Sequence, residues 1–308
     1  MKKVLILGGA GYIGTRLREV LRQKHFVKTN DICWFNHDET SDRRDYHKLT
    51  KKELAEVEVV VLLAGHSSVP SCLGALYSPW LNNVTNFTDL LDKLDDQLVI
   101  YASSASVYGN SAPGQQHKET NTHFTPVNNY DITKYALDQQ ATIANLTGKR
   151  VIGLRFGTVN GYSANLRVDV MINSMYHSVQ NDRGIQVSNK HISRAMLGIE
   201  DLCRAVERCI EQPVPGIYNL SSFNATVGEI AEDVSRKLGA EIVDNGNTAN
   251  AYDFALDTGQ FEQTFDFKFK ETPDTILNGL IEHYGEAVPQ WRDKYIIYNW
   301  EREDYGRR

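Results

Sequence analysis

Val4-Leu5-Ile6-Leu7-Gly8-Gly9-Ala10-Gly11-Tyr12-Ile13-Gly14 is the stretch whose reading decides the fold. An apolar run enters three glycines spaced GxxGxxG, and a helical pattern leaves them through Tyr12 to Leu21. The order predicts strand, tight turn, helix. In that context Gly8 allows the turn, Gly11 lets the backbone approach a pyrophosphate, and Gly14 lets the helix pack close to the sheet. The helix N-terminus, with Tyr12 and Ile13 in its first turn, offers free N–H groups and positive partial charge to phosphates. A dinucleotide is the expected ligand.

Working outward, Asp31 follows Gly14 by 17 positions, at the end of His25-Phe26-Val27-Lys28-Thr29-Asn30. A carboxylate there meets ribose hydroxyls and repels an extra phosphate, which predicts NAD as cofactor. A solvated loop aspartate is the alternative, and Arg43 and Arg44 keep NADP open. Strand-like runs at Val4–Leu7, Val57–Ala64, Leu98–Ser103 and Val151–Phe156 alternate with helical patterns near 12–23, 81–94 and 130–147. Such alternation predicts an α/β fold: a doubly wound parallel sheet with a smaller interleaved C-terminal lobe. We expect residues 1–160 to form the dinucleotide-binding domain, and about 195–222 to return to it through a strand at Gly216–Leu220. Residues 161–308 are expected to supply mainly the substrate lobe and a tail, with a short helix at Val170–Ser178.

The chain has 308 residues and a formal charge of −6, which argues against a nucleic-acid or anionic-membrane partner, since both demand a basic face. Its four cysteines (Cys33, Cys72, Cys203, Cys209) lack metal-ligand spacing. Without a recognisable signal peptide they read as reduced thiols of a cytoplasmic protein. No apolar run approaches the roughly 20 residues that span a bilayer.

Chemistry enters with Ser104, Tyr130 and Lys134. Tyr130 and Lys134 are four apart in a helical pattern, so both lie on one face. A tyrosine is a poor base at neutral pH, and a nearby ammonium and a positively charged nicotinamide ring are expected to bring its pKa down. Ser104, at a strand end, can hold a sugar oxygen against Tyr130. The bland alternative makes these an amphipathic helix face and a turn residue.

These residues resemble the extended short-chain dehydrogenase/reductases, specifically the nucleotide-sugar epimerase/dehydratase family, over roughly residues 1–280. The likeness includes Asp42-Arg43-Arg44-Asp45, similar to the family's adenine-contacting turn, and Leu62-Leu63-Ala64-Gly65 at the end of the fourth strand. It continues through Asn83-Val84, Ser103 to Gly109, Tyr130-Asp131-Ile132-Thr133-Lys134 and Leu154-Arg155-Phe156-Gly157. It implies that Asp42, Arg43, Leu63, Ala64, Gly65 and Phe156 join the glycine turn at the cofactor, and that Lys134 also holds the nicotinamide ribose. In the family's 4,6-dehydratases and decarboxylases, acidic residues follow the Ser104 position; here Ala105 and Ser106 do, as in the 4-epimerases. The implied reaction is 4-epimerisation of a nucleotide-diphosphate sugar through a 4-keto intermediate. The alternatives are a 4,6-dehydratase, a 4-ketoreductase or a non-catalytic NAD(P)-sensing regulator.

For the substrate, Arg194-Ala195-Met196-Leu197-Gly198-Ile199-Glu200-Asp201-Leu202 resembles the segment whose arginine binds the diphosphate, which suits the bidentate donors of Arg194. Three departures stand out. Gly198 replaces a histidine, Thr158 replaces the asparagine that contacts the sugar, and residues 247–253 lack a second diphosphate arginine. Arg167 is a candidate replacement and Asn173 a candidate sugar or phosphate contact; lobe packing is the alternative for both. His66 reads as a cleft-lining residue rather than a catalytic one. The aromatic tail Trp291–Trp300 suits either a second subunit, giving a homodimer, or packing on its own domain.

Overall fold

The computed structural model describes residues 1–33, 40–112, 114–121, 123–246 and 251–285. Strands β1 (Lys3–Leu7), β2 (Phe26–Asn30), β3 (Val59–Leu62), β4 (Leu98–Ser104), β6 (Arg150–Phe156) and β10 (Gly216–Leu220) form the main sheet, and β5 (Gln116–His117) lies outside it. All its pairings are parallel, in the order β10-β6-β4-β3-β1-β2. Helices α1 (Tyr12–Leu21), α2 (Lys51–Leu54), α3 (Tyr77–Trp80), α4 (Asn86–Lys93) and α5 (Asn129–Leu146) connect the first strands. The fold is a Rossmann-type, doubly wound sheet. After β2 the chain crosses to the far side of β1, and the carboxyl ends of β1 and β3 therefore border the crevice where such sheets bind ligands.

The sheet is covered on both faces, as a parallel sheet must be. Leu17 and Leu21 of α1 pack with Ile6, Val61 and Ile100 on one side, while Phe87, Leu90, Leu137 and Ala141 pack with Val60, Val99 and Tyr101 on the other. The remainder of the chain supplies β7 (Thr158–Asn160), α6 (Met171–Gln180), β8 (Ile185–Val187), β9 (Ser193–Gly198), α7 (Ile199–Glu211), β11 (Phe223–Thr226), α8 (Val227–Leu238), β12 (Ile242–Asp244), β13 (Ala255–Leu256), α9 (Gly259–Phe265) and α10 (Pro273–Tyr284). Strand β9 pairs with β7 and β11, β8 with β12, and β5 with β13. Ile172, Tyr176, Ile230, Val234 and Leu277 form a separate core under α6, α8 and α10. Segment Phe261–Phe267 packs instead against Tyr218 in the main core, so late sequence serves the first domain as well.

Three expectations about elements are corrected. The strand expected over Val57–Ala64 is only Val59–Leu62, and it is third in the chain rather than fourth. It ends early because the N–H groups of Leu63 and Ala64 both turn onto Leu7 O, at 2.8 and 2.9 Å. The helix expected over 81–94 is interrupted: Leu81–Thr85 forms a π turn between α3 and α4. The aromatic tail lies outside the described residues.

Candidate active site

The cofactor end of the crevice is made of backbone. Gly8 has φ +89°, and a Cβ on it would lie 2.6 Å from Ala64 N; on Gly14 it would lie 2.1 Å from Gly8 O. The turn, the end of β3 and the first turn of α1 are thus in direct contact. Gly11 caps α1 with no side chain over the helix end, leaving the first N–H groups free to meet phosphate oxygens. Those features fit a dinucleotide. Asp31 accepts from Ala10 N at 3.0 Å and Cys33 N at 2.7 Å. Burial pushes its carboxyl up, against the pull of these N–H donors.

Gly8, Gly11, Tyr12, Ile13, Gly14, Asp31, Leu63, Ala64, Gly65 and Phe156 all line one cleft of about 470 Å³, a size usual for small-molecule sites. Asp42 and Arg43 do not. Asp42 is turned away by a double contact with Arg44, at 3.0 and 2.6 Å, and the cleft positions of that turn belong to Asp45 and Tyr46.

Ser104, Tyr130 and Lys134 meet on the cleft wall. Ser104 closes β4; Asn128 caps α5, its Oδ1 accepting Asp131 N at 3.1 Å, which sets Tyr130 and Lys134 in the first two turns. Ser104 Oγ lies 2.9 Å from Ser106 Oγ and pulls the Tyr130 pKa down. Lys134 Nζ stands 5.8 Å from the Tyr130 ring centre and donates to Ala102 O at 2.7 Å. The expected lowering of the Tyr130 pKa is not found in the protein alone. Burial pushes it up to about 12, outweighing the lowering influence of Ser104 and of the Arg167 charge. Burial also lowers Lys134 to about 8, so its ammonium is itself destabilised.

Thr158, Arg167 and Arg194 line the same cleft. Arg167 pairs with Asp169 at 2.7 Å. Arg194 donates through Nη1 to Tyr252 O at 3.1 Å, and its buried Nε has no hydrogen-bond partner. A buried, unmatched guanidinium donor is costly unless a ligand completes it. Asn173 is a correction: it is fully buried behind the wall, its Oδ1 accepting Gly161 N at 2.9 Å and its Nδ2 donating to Arg167 O at 2.8 Å and Tyr12 Oη at 3.2 Å. It braces the loop and does not line the cleft.

Gly198 also gains a reason, since a Cβ there would lie 2.0 Å from Glu271 Oε2. That oxygen instead accepts Glu200 N at 3.1 Å, capping α7. His66 lines the cleft with Nε2 3.0 Å from Ser78 Oγ; burial lowers it to about 4, leaving a neutral ring. Sequence reasoning missed Tyr252 and Asn165. Tyr252 faces Tyr130's end of the cleft, and Asn165 Nδ2 donates to Ala10 O at 2.9 Å, tying the Arg167 loop to the glycine turn. No periodicity marks either residue. Cys203 and Cys209 are packed in the core, as expected.

The model of the NAD dependent epimerase/dehydratase family matches residues 4–221. Protein CapI of Staphylococcus aureus is 27% identical over 92% of this chain and 98% of its own length. A UDP-glucose 4-epimerase of Lactobacillus helveticus is 28% identical over 53% of each. Among solved structures, UDP-glucuronic acid 4-epimerase from Bacillus cereus, in complex with UDP-glucuronic acid and NAD, superposes with TM-score 0.80 at 18% identity, covering 91% of this chain and 98% of that one. The dTDP-glucose 4,6-dehydratase from Bacillus anthracis, in complex with NAD, gives 0.80 at 19%, covering 94% and 98%. With a family match over more than half the chain and a glycine turn shaped for the cofactor, this protein belongs to the NAD dependent epimerase/dehydratase family and uses NAD.

Proposed function

We propose that the protein is a nucleotide-sugar 4-epimerase acting through a transient 4-keto sugar. The observation that carries this reading is Ser104 and Tyr130 together on the cleft wall, beside a turn that continues with Ala105 and Ser106, without the carboxylates that a dehydratase places there. Bound NAD supplies the hydride acceptor and donor at the sugar carbon. Ser104 holds the sugar oxygen, and Tyr130 takes and later returns its proton. Lys134, anchored on Ala102 O, stands over the Tyr130 ring and favours negative charge on the phenol oxygen. Arg194 and Arg167 face the diphosphate, with the unmatched Nε of Arg194 as the strongest claim. Thr158 lines the sugar end.

UDP-glucuronic acid and UDP-glucose, found in neighbouring folds, are the first substrates to try. The test is nuclear magnetic resonance of the sugar after incubation with NAD-loaded protein. The 4-epimer should form with no net change in nicotinamide absorbance. A 4-keto-6-deoxy product would make the protein a dehydratase, stoichiometric use of reduced cofactor a ketoreductase, and binding without turnover a sensor. On this reading the enzyme is cytoplasmic and acts as a homodimer, which sedimentation of the purified chain would check.

A further inference from the structure

Tyr252 lines the cleft and holds two of its parts by different atoms. Its backbone O accepts from Arg194 Nη1 at 3.1 Å. Its Oη donates to the Asp131 carboxylate, 2.9 and 3.0 Å from the two oxygens, and accepts from Asn128 Nδ2. Asn128 is the N-cap of α5 and Asp131 lies in its first turn, next to Tyr130. One residue therefore joins the arginine assigned to the diphosphate to the helix that carries the tyrosine assigned to the proton. The Arg194 guanidinium also lies 5.8 Å from the ring centre of Phe254, so the arginine is seated on the same short segment.

A phenol has a single proton, and that of Tyr252 is directed at Asp131 rather than at a sugar hydroxyl. The hydroxyl is not needed to hold its own segment. Ser111 N donates to Asp253 O at 2.7 Å, Asp253 N to Asn110 Oδ1 at 3.0 Å, Ser193 N to Asp253 Oδ1 at 2.8 Å and Phe254 N to Ser193 O at 3.0 Å. Nor does α5 depend on it. Asn128 Oδ1 already caps the helix by accepting Asp131 N at 3.1 Å, and Asp131 accepts from Val127 N at 3.1 Å and Asn128 Nδ2 at 2.9 Å. What the Tyr252 hydroxyl adds is the register of one element on the other.

We propose that Tyr252 is a positioning residue that sets the distance between the diphosphate on Arg194 and the reacting hydroxyl at Tyr130. The proposal rests on the epimerase reading of the site. With the diphosphate fixed at one end, a sugar hydroxyl meets Tyr130 only if its span from the phosphate matches the span between the two residues. That span differs among the hydroxyls of a pyranose ring, so the Tyr252 link selects which carbon is oxidised. A misplacement of about 1 Å is enough to slow such a reaction by about a hundredfold. Tyr252 acts through Arg194 and α5, and loss of its hydroxyl should lower kcat while leaving the binding of a bare diphosphate alone.

The experiment compares the full NAD-loaded chain with Tyr252→Phe, which keeps the ring and the backbone O. Turnover of UDP-glucose and UDP-glucuronic acid is followed by nuclear magnetic resonance, and uridine diphosphate is titrated calorimetrically. In Tyr252→Phe, kcat should fall by roughly tenfold or more, with uridine diphosphate affinity within about twofold of wild type. Arg194→Ala supplies the second arm: once the diphosphate has lost its anchor there is nothing left to register, and adding Tyr252→Phe should lower kcat by less than about twofold more. Wild-type kcat in Tyr252→Phe, or losses that simply multiply in the double variant, would overturn the proposal alone. Uridine diphosphate affinity falling in step with kcat, or loss of the folded state in a thermal melt, would make Tyr252 a structural residue and overturn it equally. If the wild type forms no epimer and no reduced nicotinamide with either sugar, the epimerase reading falls, and the proposal with it.

Discussion

Around Gly8–Gly14 the cleft is lined by backbone held against backbone, whereas a second part of its wall presents side chains of Thr158, Arg167, Arg194 and Tyr252, gathered from separate stretches of chain. The first wall recognises what every dinucleotide shares, a pyrophosphate, and needs only N–H groups and room. On the proposed reading the second must tell one nucleotide sugar from another, by charge and shape borne by side chains. Each wall is steadied differently. The glycine turn rests on β3 and α1, while the Arg167 loop is held by Tyr12, Asn173 and Asn165. Those last contacts join the two walls.

The largest expected effect separates chemistry from both walls. Tyr130→Phe should lower turnover by about a hundredfold or more while NAD binding and fold stay nearly unchanged, because only the proton-transfer group is lost. Steady-state rates beside a calorimetric NAD titration check it, and near-normal turnover would remove Tyr130 from the mechanism.

Arg194→Ala tests whether the walls bind separately. Uridine diphosphate should bind more weakly by about 1.5–3 kcal/mol, the range for hydrogen bonds to charged groups, with NAD affinity unmoved. Equal titration curves for mutant and wild type would assign the diphosphate to Arg167 instead.

A third expectation concerns the brace behind the side-chain wall. Glu271 is pushed up to about 7, chiefly by burial and then by the charge of Asp201. Its folded pKa therefore lies above the ordinary value of 4.5, and the folded state binds the extra proton. Stability is accordingly higher below the unfolded pKa and falls as pH rises toward about 7. Glu271→Gln keeps the acceptor for Glu200 N and should stabilise the protein by about 1–2 kcal/mol above neutrality, less in acid, after discounting for solvent screening. Thermal melts at several pH values would show a mutant curve flatter than the wild type; parallel curves would refute the assignment.

The smallest effect sharpens the comparison most. Asn165→Ala cuts the link between Asn165 and Ala10 O, and should weaken both NAD and uridine diphosphate by about 0.5–1.5 kcal/mol each. The first ligand should also lose some of its influence on the second. Were only one affinity to change, the walls would be independent.

The contrast extends to what could be read before the structure. Gly8, Gly11 and Gly14 carry their meaning in spacing alone, because a turn between strand and helix is local. Asp31 was legible for the same reason, standing at the end of the next strand. Asn173 looked like a polar contact and proved to be a brace, since whether an amide faces a cleft or a neighbouring loop depends on residues such as Tyr12, 161 positions away. The tuning of Tyr130 failed for a related cause: helical spacing placed Lys134 beside it, but the balance between charge and burial belongs to the packed site. Tyr252 had no pattern to betray it, since its partner Asp131 lies 121 positions away.

By itself, then, the sequence determined the alternation of strands and helices, the cofactor turn and the order Ser104, Tyr130, Lys134, all of which rest on contacts between near neighbours or on the period of a helix. Only the tertiary structure decided which polar groups face the cleft, which brace it, and how burial sets the pKa of Tyr130 and Lys134. Those outcomes depend on burial and on hydrogen bonds between segments that meet only when the sheet, the lobe and the loops between them have packed.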